Sequence, residues 1–192
     1  KIDPATLDAI IALAPTLKKI SAERIRVELN KILVSKRPEY MEAVYETGIT
    51  GIVLPEFDEL MKTPQNNPHH CYNVGEHTIA ALQQVPADPV LRWTMLLHDI
   101  AKPVCHTTDA NGIDHFKGHA QVGENMAKEI LRRLKFDNDT IHQVKTLILW
   151  HDCRMTPKKT VIRRILNKIG PELFEKLMVV QKADTMAKSM YQ

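Results

Sequence analysis

Apolar positions recur at helical spacing along nearly the whole chain. Ile25, Leu29, Ile32 and Leu33 fall at i, i+4, i+7 and i+8 after Ser21, which predicts a helix capped by that serine. Val74, Thr78, Ala81 and Leu82 repeat the spacing. Asp88-Pro89 predicts a cap followed by proline at the first helical position, with Leu91, Met95 and His98 sharing one face of the helix that follows. His119, Val122, Met126, Ile130 and Leu134 form one stripe, and Ile141, Val144, Ile148 and His151 another. Thr156-Pro157 opens a helix carrying Val161, Ile162, Ile165 and Leu166, which Gly170-Pro171 ends; a last helix carries Leu173, Leu177, Val180, Gln181 and Asp184. Strand character is confined to a candidate hairpin over 104–116, with Asn111-Gly112 as its turn. The pattern predicts an all-α bundle.

Composition narrows this only a little. The 192 residues are 44% hydrophobic, enough to bury a core, and 26% charged, with charges spread along the chain. A formal charge of +3 is compatible with an RNA or phosphate partner without demanding one. No apolar run approaches the ~18 residues a membrane span needs, and no signal-peptide pattern is present. Cys71, Cys105 and Cys153 are odd in number and lack a C-x-x-C, as expected of reduced thiols in a cytoplasmic protein. Both ends fall within charged, helical-looking sequence, which suggests a piece of a longer protein. Thr63-Pro64-Gln65-Asn66-Asn67-Pro68 is the clearest internal boundary. It separates a helical part, 1–63, with no histidine from a part, 69–192, that holds all 9.

The chemistry lies on the apolar faces of the second part. His77, His98, Asp99, His119, His151 and Asp184 all sit on or beside them. Imidazoles and carboxylates are costly to bury unless paired or bound to metal. One such residue reads as a satisfied core polar group; six on five helices of one bundle read as an inward-facing metal site. Imidazole and carboxylate without thiolate suit Mn, Fe, Co, Ni, Mg or Zn. Six ligands exceed what one catalytic ion needs, so one or two divalent ions per chain are expected, with Asp99 bridging if there are two.

Val74-Gly75-Glu76-His77-Thr78, Leu96-Leu97-His98-Asp99-Ile100-Ala101-Lys102 and Ala183-Asp184 resemble, in order, the H…HD…D signature of the HD phosphohydrolase superfamily. His119 and His151 resemble the two extra histidines of its binuclear members. Ala101 stands where the common form has glycine; alanine is expected to keep the helix and slightly crowd the mouth of the site. Ser21-Ala22-Glu23-Arg24-Ile25 through Lys31, and Thr47 to Glu56, resemble the RNA-binding neck of CCA-adding tRNA nucleotidyltransferases. So does the join Asn66-Asn67-Pro68-His69-His70-Cys71-Tyr72-Asn73-Val74, and His115-Phe116-Lys117-Gly118-His119 is similar to HD domains fused to those enzymes. The resemblance implies an HD-type bundle behind a small helical neck. It further implies metal-dependent hydrolysis of phosphoesters such as 2′,3′-cyclic phosphates or nucleotide monoesters, with Asp99 and Lys102 catalytic and Lys102 holding substrate phosphate. The implied partners are tRNA or another RNA 3′ end and nucleotide phosphates.

Nucleotidyl transfer needs a Gly-Ser turn and a D-x-D pair on a strand. Asp137-Asn138-Asp139 stands before a helix and reads as its cap, so this chain is not expected to add nucleotides. Lys102 read without the resemblance could be a solvated lysine. His69, His70, His106, His115 and His142 read as surface residues, with His115 the substitute should His119 not be a ligand. Asp152 reads as a helix-end carboxylate or the partner of a ligating histidine. Trp93 and Trp150 read as core. Arg24, Arg26, Lys31, Lys36 and Arg37 are the neck's basic residues, with glutamates interleaved. Two rival readings stand beside the hydrolase: a non-catalytic scaffold that clamps tRNA, and a stand-alone nucleotide phosphohydrolase whose first helices cap the bundle.

Overall fold

The computed structural model describes residues 2–66, 73–154, 156 and 158–189. His69, His70, Cys71, Tyr72, the Asn67-Pro68 part of the boundary, Pro157 and residues 190–192 lie outside them. The all-α expectation holds: among the described residues the helices are accompanied by one two-stranded sheet.

The N-terminal part is more finely divided than its periodicity predicts. Helix α1 (Pro4–Leu13), capped by Asp3, is followed by a 3-10 turn, then α2 (Ala22–Leu33), α3 (Met41–Glu46), α4 (Thr50–Val53) and α5 (Pro55–Lys62). Ser21 caps α2 as expected, accepting from Arg24 N. Prolines explain the breaks, because they favour a first helical turn and cannot continue a helix before them: Pro38 opens a 3-10 turn and Pro55 opens α5.

The bundle proper begins at α6 (Val74–Leu82), fixed by a reciprocal cap in which Glu76 N donates to Asn73 Oδ1 and Asn73 N donates to Glu76 Oε2. Helix α7 (Pro89–Leu97), capped by Asp88, is buried from Val90 to Leu97 and forms the centre. A short α8 (Lys102–Cys105) leads into β1 (Thr107–Thr108) and β2 (Asp114–His115), antiparallel about a turn with Gly112 at φ 78°. The hairpin expected over 104–116 is thus present but shorter. Helices α9 (His119–Arg133) and α10 (Asn138–Trp150, capped by Asp137) pack on each other; α10 also packs on α7, and α9 on α8. Helix α11 (Lys159–Ser189) bends at Gly170, φ 80° and ψ 165°, where the sequence predicts a stop. Among the described residues no helix is long and apolar enough to cross a membrane.

One apolar core runs from Leu29 and Leu33 of α2 through Met41, Phe57, Leu60, Trp93 and Leu97 to Val180 and Ala187 of α11. Trp93, fully buried, donates from Nε1 to Asn30 Oδ1 at 3.2 Å and meets the Phe136 ring edge-on at 5.0 Å. Arg133 grips Glu56 through two bonds of 2.6 and 2.7 Å. That pair is half exposed and contributes about 1 kcal/mol or less, whereas each fully buried Leu or Phe contributes roughly 1.5–3 kcal/mol. The N-terminal helices therefore hold to the bundle by apolar contact. Asn66 is tied to the hairpin, its N–H donating to Asp114 Oδ2 at 2.8 Å and its carbonyl accepting from Asp114 N at 3.1 Å.

Two predictions follow from this packing. At Gly75, where α6 crosses α5, a Cβ would stand 2.8 Å from Met61 Cα. Gly75→Ala is expected to destabilise the fold by about 1–3 kcal/mol, read from the urea midpoint; an unchanged midpoint would show that the two helices can part freely. Asp114 is held down to about 2 by the Asn66 N–H first, then by His106 and Thr108. A lowered carboxylate stabilises the fold above its unfolded value and loses that contribution as pH falls through the folded one. Asp114→Asn should therefore cost stability at pH 6, and the gap to the parent should narrow by pH 3; a gap independent of pH would contradict the assignment.

Candidate metal centre

Each predicted ligand is delivered by the end or inner face of a helix. His77 lies on the buried face of α6. His98 is the residue after α7, and Asp99 occupies the turn that follows. This differs from the continuous helix expected there. Pro103 cannot supply the N–H that a continuing helix would donate to the Asp99 carbonyl, so the chain turns and restarts as α8. His119 opens α9 after Gly118, whose φ of 80° suits glycine; His151 follows α10, and Asp184 projects from α11.

These six side chains converge. His77 Nε2 lies 2.9 Å from Asp184 Oδ1, and His98 Nε2 lies 3.7 Å from the same oxygen. His119 Nε2 and His151 Nε2 are 3.2 Å apart. Asp99 sits between the two groups. Its Oδ2 is 3.2 Å from His98 Nε2 and 3.8 Å from His77 Nε2, while its Oδ1 is 3.5 Å from His119 and 3.7 Å from His151. His77, His98 and Asp99 are each no more than 2% exposed.

Three of the four rings are oriented by the backbone. His98, His119 and His151 donate from Nδ1 to the carbonyls of Met95, Phe116 and Ile148, at 2.7, 2.8 and 2.6 Å. An N–H at Nδ1 leaves Nε2 of a neutral ring as the lone-pair nitrogen facing the centre. His98 Nε2 is buried without a hydrogen-bond partner among the described residues. His77, His98 and Asp184 form one group whose ligand atoms lie within 4.8 Å of one another, and Asp99, His119 and His151 form a second. Each could hold a divalent ion, and the all-nitrogen-and-oxygen donor set fits one.

Charge is distributed unevenly across the two groups. Burial, the largest influence on each residue, lowers His77 and His119. His98 is also pushed down by burial, but Asp99 and Asp184 outweigh this and raise it to about 9. Burial would raise Asp99 and Asp184, yet His98 with Lys102, and His77 with His98, hold them well below the usual carboxylate range. The centre is therefore built around persistent negative charge, which a cation can replace protons in balancing.

Lys102 is buried rather than solvated: Nζ lies 2.7 Å from Asp99 Oδ2, donates to Gln65 Oε1 at 2.8 Å and stands over the Phe116 ring. Ala101, at φ −95°, needs no glycine and packs toward Gly123 of α9, so it does not crowd the mouth as expected. His115 pairs with Asp109 and His106 with Asp114, away from the centre, and His142 is exposed. Asp152 is exposed, and the Ile148 carbonyl fills the partner role considered for it. Asp137 is a cap, as read. Trp93 is core; Trp150 is only partly buried, lining a cavity of about 380 Å³ with His119, Gly118 and Cys153.

Several contributing residues escape the sequence reading. Gln65 reaches Lys102 from the presumed linker, where polar composition signals only a loop. Gln181 Nε2 donates to the carbonyls of Trp150, His151 and Cys153, securing the end of α10. Lys188 Nζ holds Asp184 Oδ2 at 2.6 Å, and its i+4 spacing was the available signal. In the N-terminal part, Arg26 bonds to the Lys135 carbonyl and covers Phe136, Lys31 pairs with Glu28, and Arg37 pairs with Glu39 over Tyr40. Arg24 and Lys36 are exposed.

Residues 69–188 match the family described as HD domain, and residues 1–61 that described as "Probable RNA and SrmB- binding site of polymerase A". The A-adding tRNA nucleotidyltransferase of Deinococcus radiodurans is 30% identical over 200 residues, covering 97% of this chain and 45% of that protein. The CC-adding tRNA nucleotidyltransferase of Thermus thermophilus is 30% identical over 172 residues, 86% of this chain and 39% of that protein. A multifunctional CCA protein of Actinobacillus pleuropneumoniae is 30% identical over 150 residues, 72% of this chain and 36% of that protein. The chain spans less than half the length of these relatives. It belongs to the HD domain family, its HD portion following an N-terminal segment of the polymerase A RNA-binding type.

Proposed function

We propose that this chain is a metal-dependent phosphohydrolase module that hydrolyses 2′,3′-cyclic phosphates or nucleotide monoesters, with residues 1–63 contributing to tRNA binding. The observation that carries this reading is Asp99, which turns one oxygen to each of two ligand groups with Lys102 against it. His77, His98 and Asp184 would hold one ion and His119 and His151 a second, with Asp99 shared. A divalent ion there supplies Lewis acidity toward a phosphoryl oxygen. The chain's own part is to aim imidazole Nε2 atoms at the centre, three of them fixed through Nδ1, in a largely buried site. Lys102 brings a positive charge beside Asp99, placed to neutralise a phosphate oxygen of the substrate. The partly buried Trp150 and the cavity beside His119 offer room for the rest of a nucleotide. Among Arg24, Arg26, Lys31, Lys36 and Arg37, the exposed Arg24 and Lys36 best support RNA contact, because Arg26, Lys31 and Arg37 bond within the chain.

Asp99→Asn nearly preserves size and removes the shared charge. Loss of several kcal/mol of transition-state stabilisation should slow hydrolysis of a 2′,3′-cyclic nucleotide by on the order of a thousandfold, while the helical circular-dichroism signal stays at the parent's level. Equal rates for parent and variant would show that the site is wrong. An inactive parent that still binds tRNA would favour the scaffold reading instead. Metal content provides an independent check. The purified parent, supplied with Mn or Ni, is expected to hold two ions, and His119→Ala should reduce this toward one by elemental analysis. Unchanged stoichiometry would place His119 in the packing alone.

A further inference from the structure

Gln65 is an amide with one half in use and the other half without a hydrogen-bond partner among the described residues. It is 5% exposed, and its Oε1 accepts from Lys102 Nζ at 2.8 Å. Its Nε2, also buried, has no hydrogen-bond partner among the described residues. Buried amide donors are almost always satisfied, and an orphan one marks strain or a missing acceptor. The position is not loosely held. Thr63 Oγ1 donates to the Glu59 carbonyl on one side, and Asn66 is pinned to Asp114 by two bonds on the other. The amide is therefore held in place by the backbone on both flanks.

Its place beside the centre follows from its one partner among the described residues. Lys102 Nζ is 2.7 Å from Asp99 Oδ2, so the Gln65 amide is one lysine head from the carboxylate that joins the two ligand groups. A neutral N–H pair beside an ammonium recognises an acceptor with negative charge: the ammonium supplies attraction, and the amide supplies a directed bond. We propose that Gln65 Nε2 and Lys102 Nζ together form an oxyanion subsite beside Asp99 that takes a phosphoryl oxygen of the substrate. The proposal rests on the hydrolase reading for the identity of the anion, and it deepens that reading by adding a substrate-contacting residue from the Thr63–Asn66 segment. It also gives that segment a chemical task, since the same stretch of chain ties the N-terminal helices to the hairpin.

Inorganic phosphate is the probe, titrated calorimetrically into the full chain loaded with Ni and freed of excess metal. Gln65→Glu keeps an oxygen for Lys102, exchanges the donor for an acceptor and adds a negative charge. Gln65→Met removes the donor, and the oxygen that Lys102 uses, without adding charge. Both variants should retain the parent's metal stoichiometry and bind phosphate at least tenfold more weakly. Parental phosphate affinity in either variant overturns the subsite, as does a metal-loaded parent that binds no phosphate. A parent that hydrolyses no ester, but whose phosphate affinity still depends on Gln65, sinks the hydrolase reading and supports the subsite.

Discussion

A carboxylate buried as deeply as Asp99 carries a desolvation penalty of several kcal/mol unless charge and hydrogen bonds compensate it, and the bundle is arranged around that compensation. Lys102 faces one oxygen, and four imidazoles stand within 3.8 Å of one oxygen or the other. Of the helices that supply the centre, α6, α10 and α11 pack on α7, and α9 packs on α10. Their apolar faces set the distances, because each ring sits at a helix end or on a buried face whose neighbours are fully enclosed. His98 shows the balance most clearly: burial alone would discharge it, yet two carboxylates raise it to about 9.

The rings are prepared for this role by bonds that cost the fold little. A helix leaves its last carbonyls unpaired, and His98 and His151 use that property, donating Nδ1 to the carbonyl three residues back. His119 does the same with the carbonyl of Phe116 in the turn before α9. One local device, used three times, aims Nε2 inward. Asp184 receives its support from Lys188, one helical turn on, which occupies Oδ2 and leaves Oδ1 to the imidazoles.

The N-terminal helices are bound into the same core and are more than an appendage. Asn30 meets Trp93, Met61 meets Gly75, and Gln65 reaches Lys102. A shift of α5 would therefore be felt at α6, which carries His77, and at the lysine beside Asp99. Contact between the part that resembles an RNA-binding segment and the candidate metal centre runs through packed side chains and through the tethered Thr63–Asn66 stretch.

The sequence by itself determined the helices with strong apolar stripes, their caps at Ser21, Asp88 and Asp137, the hairpin turn, and all six residues that meet at the centre. Those signals are local: a cap needs three residues, a stripe needs one helix, and a histidine on a buried face is conspicuous because burial without a partner is costly. Only the tertiary structure decided which groups meet. His77 and Asp184 lie 107 positions apart, His119 and His151 lie 32 apart, and Gln65 and Lys102 lie 37 apart. Periodicity reports that a face is buried and says nothing of what it is buried against. For the same reason a polar stretch read as a linker proved to hold a buried glutamine, a lysine open to a solvated reading proved enclosed, and Arg26 proved to be spent on the Lys135 carbonyl. In each case the deciding energy comes from a neighbour distant in sequence, which the local pattern does not encode.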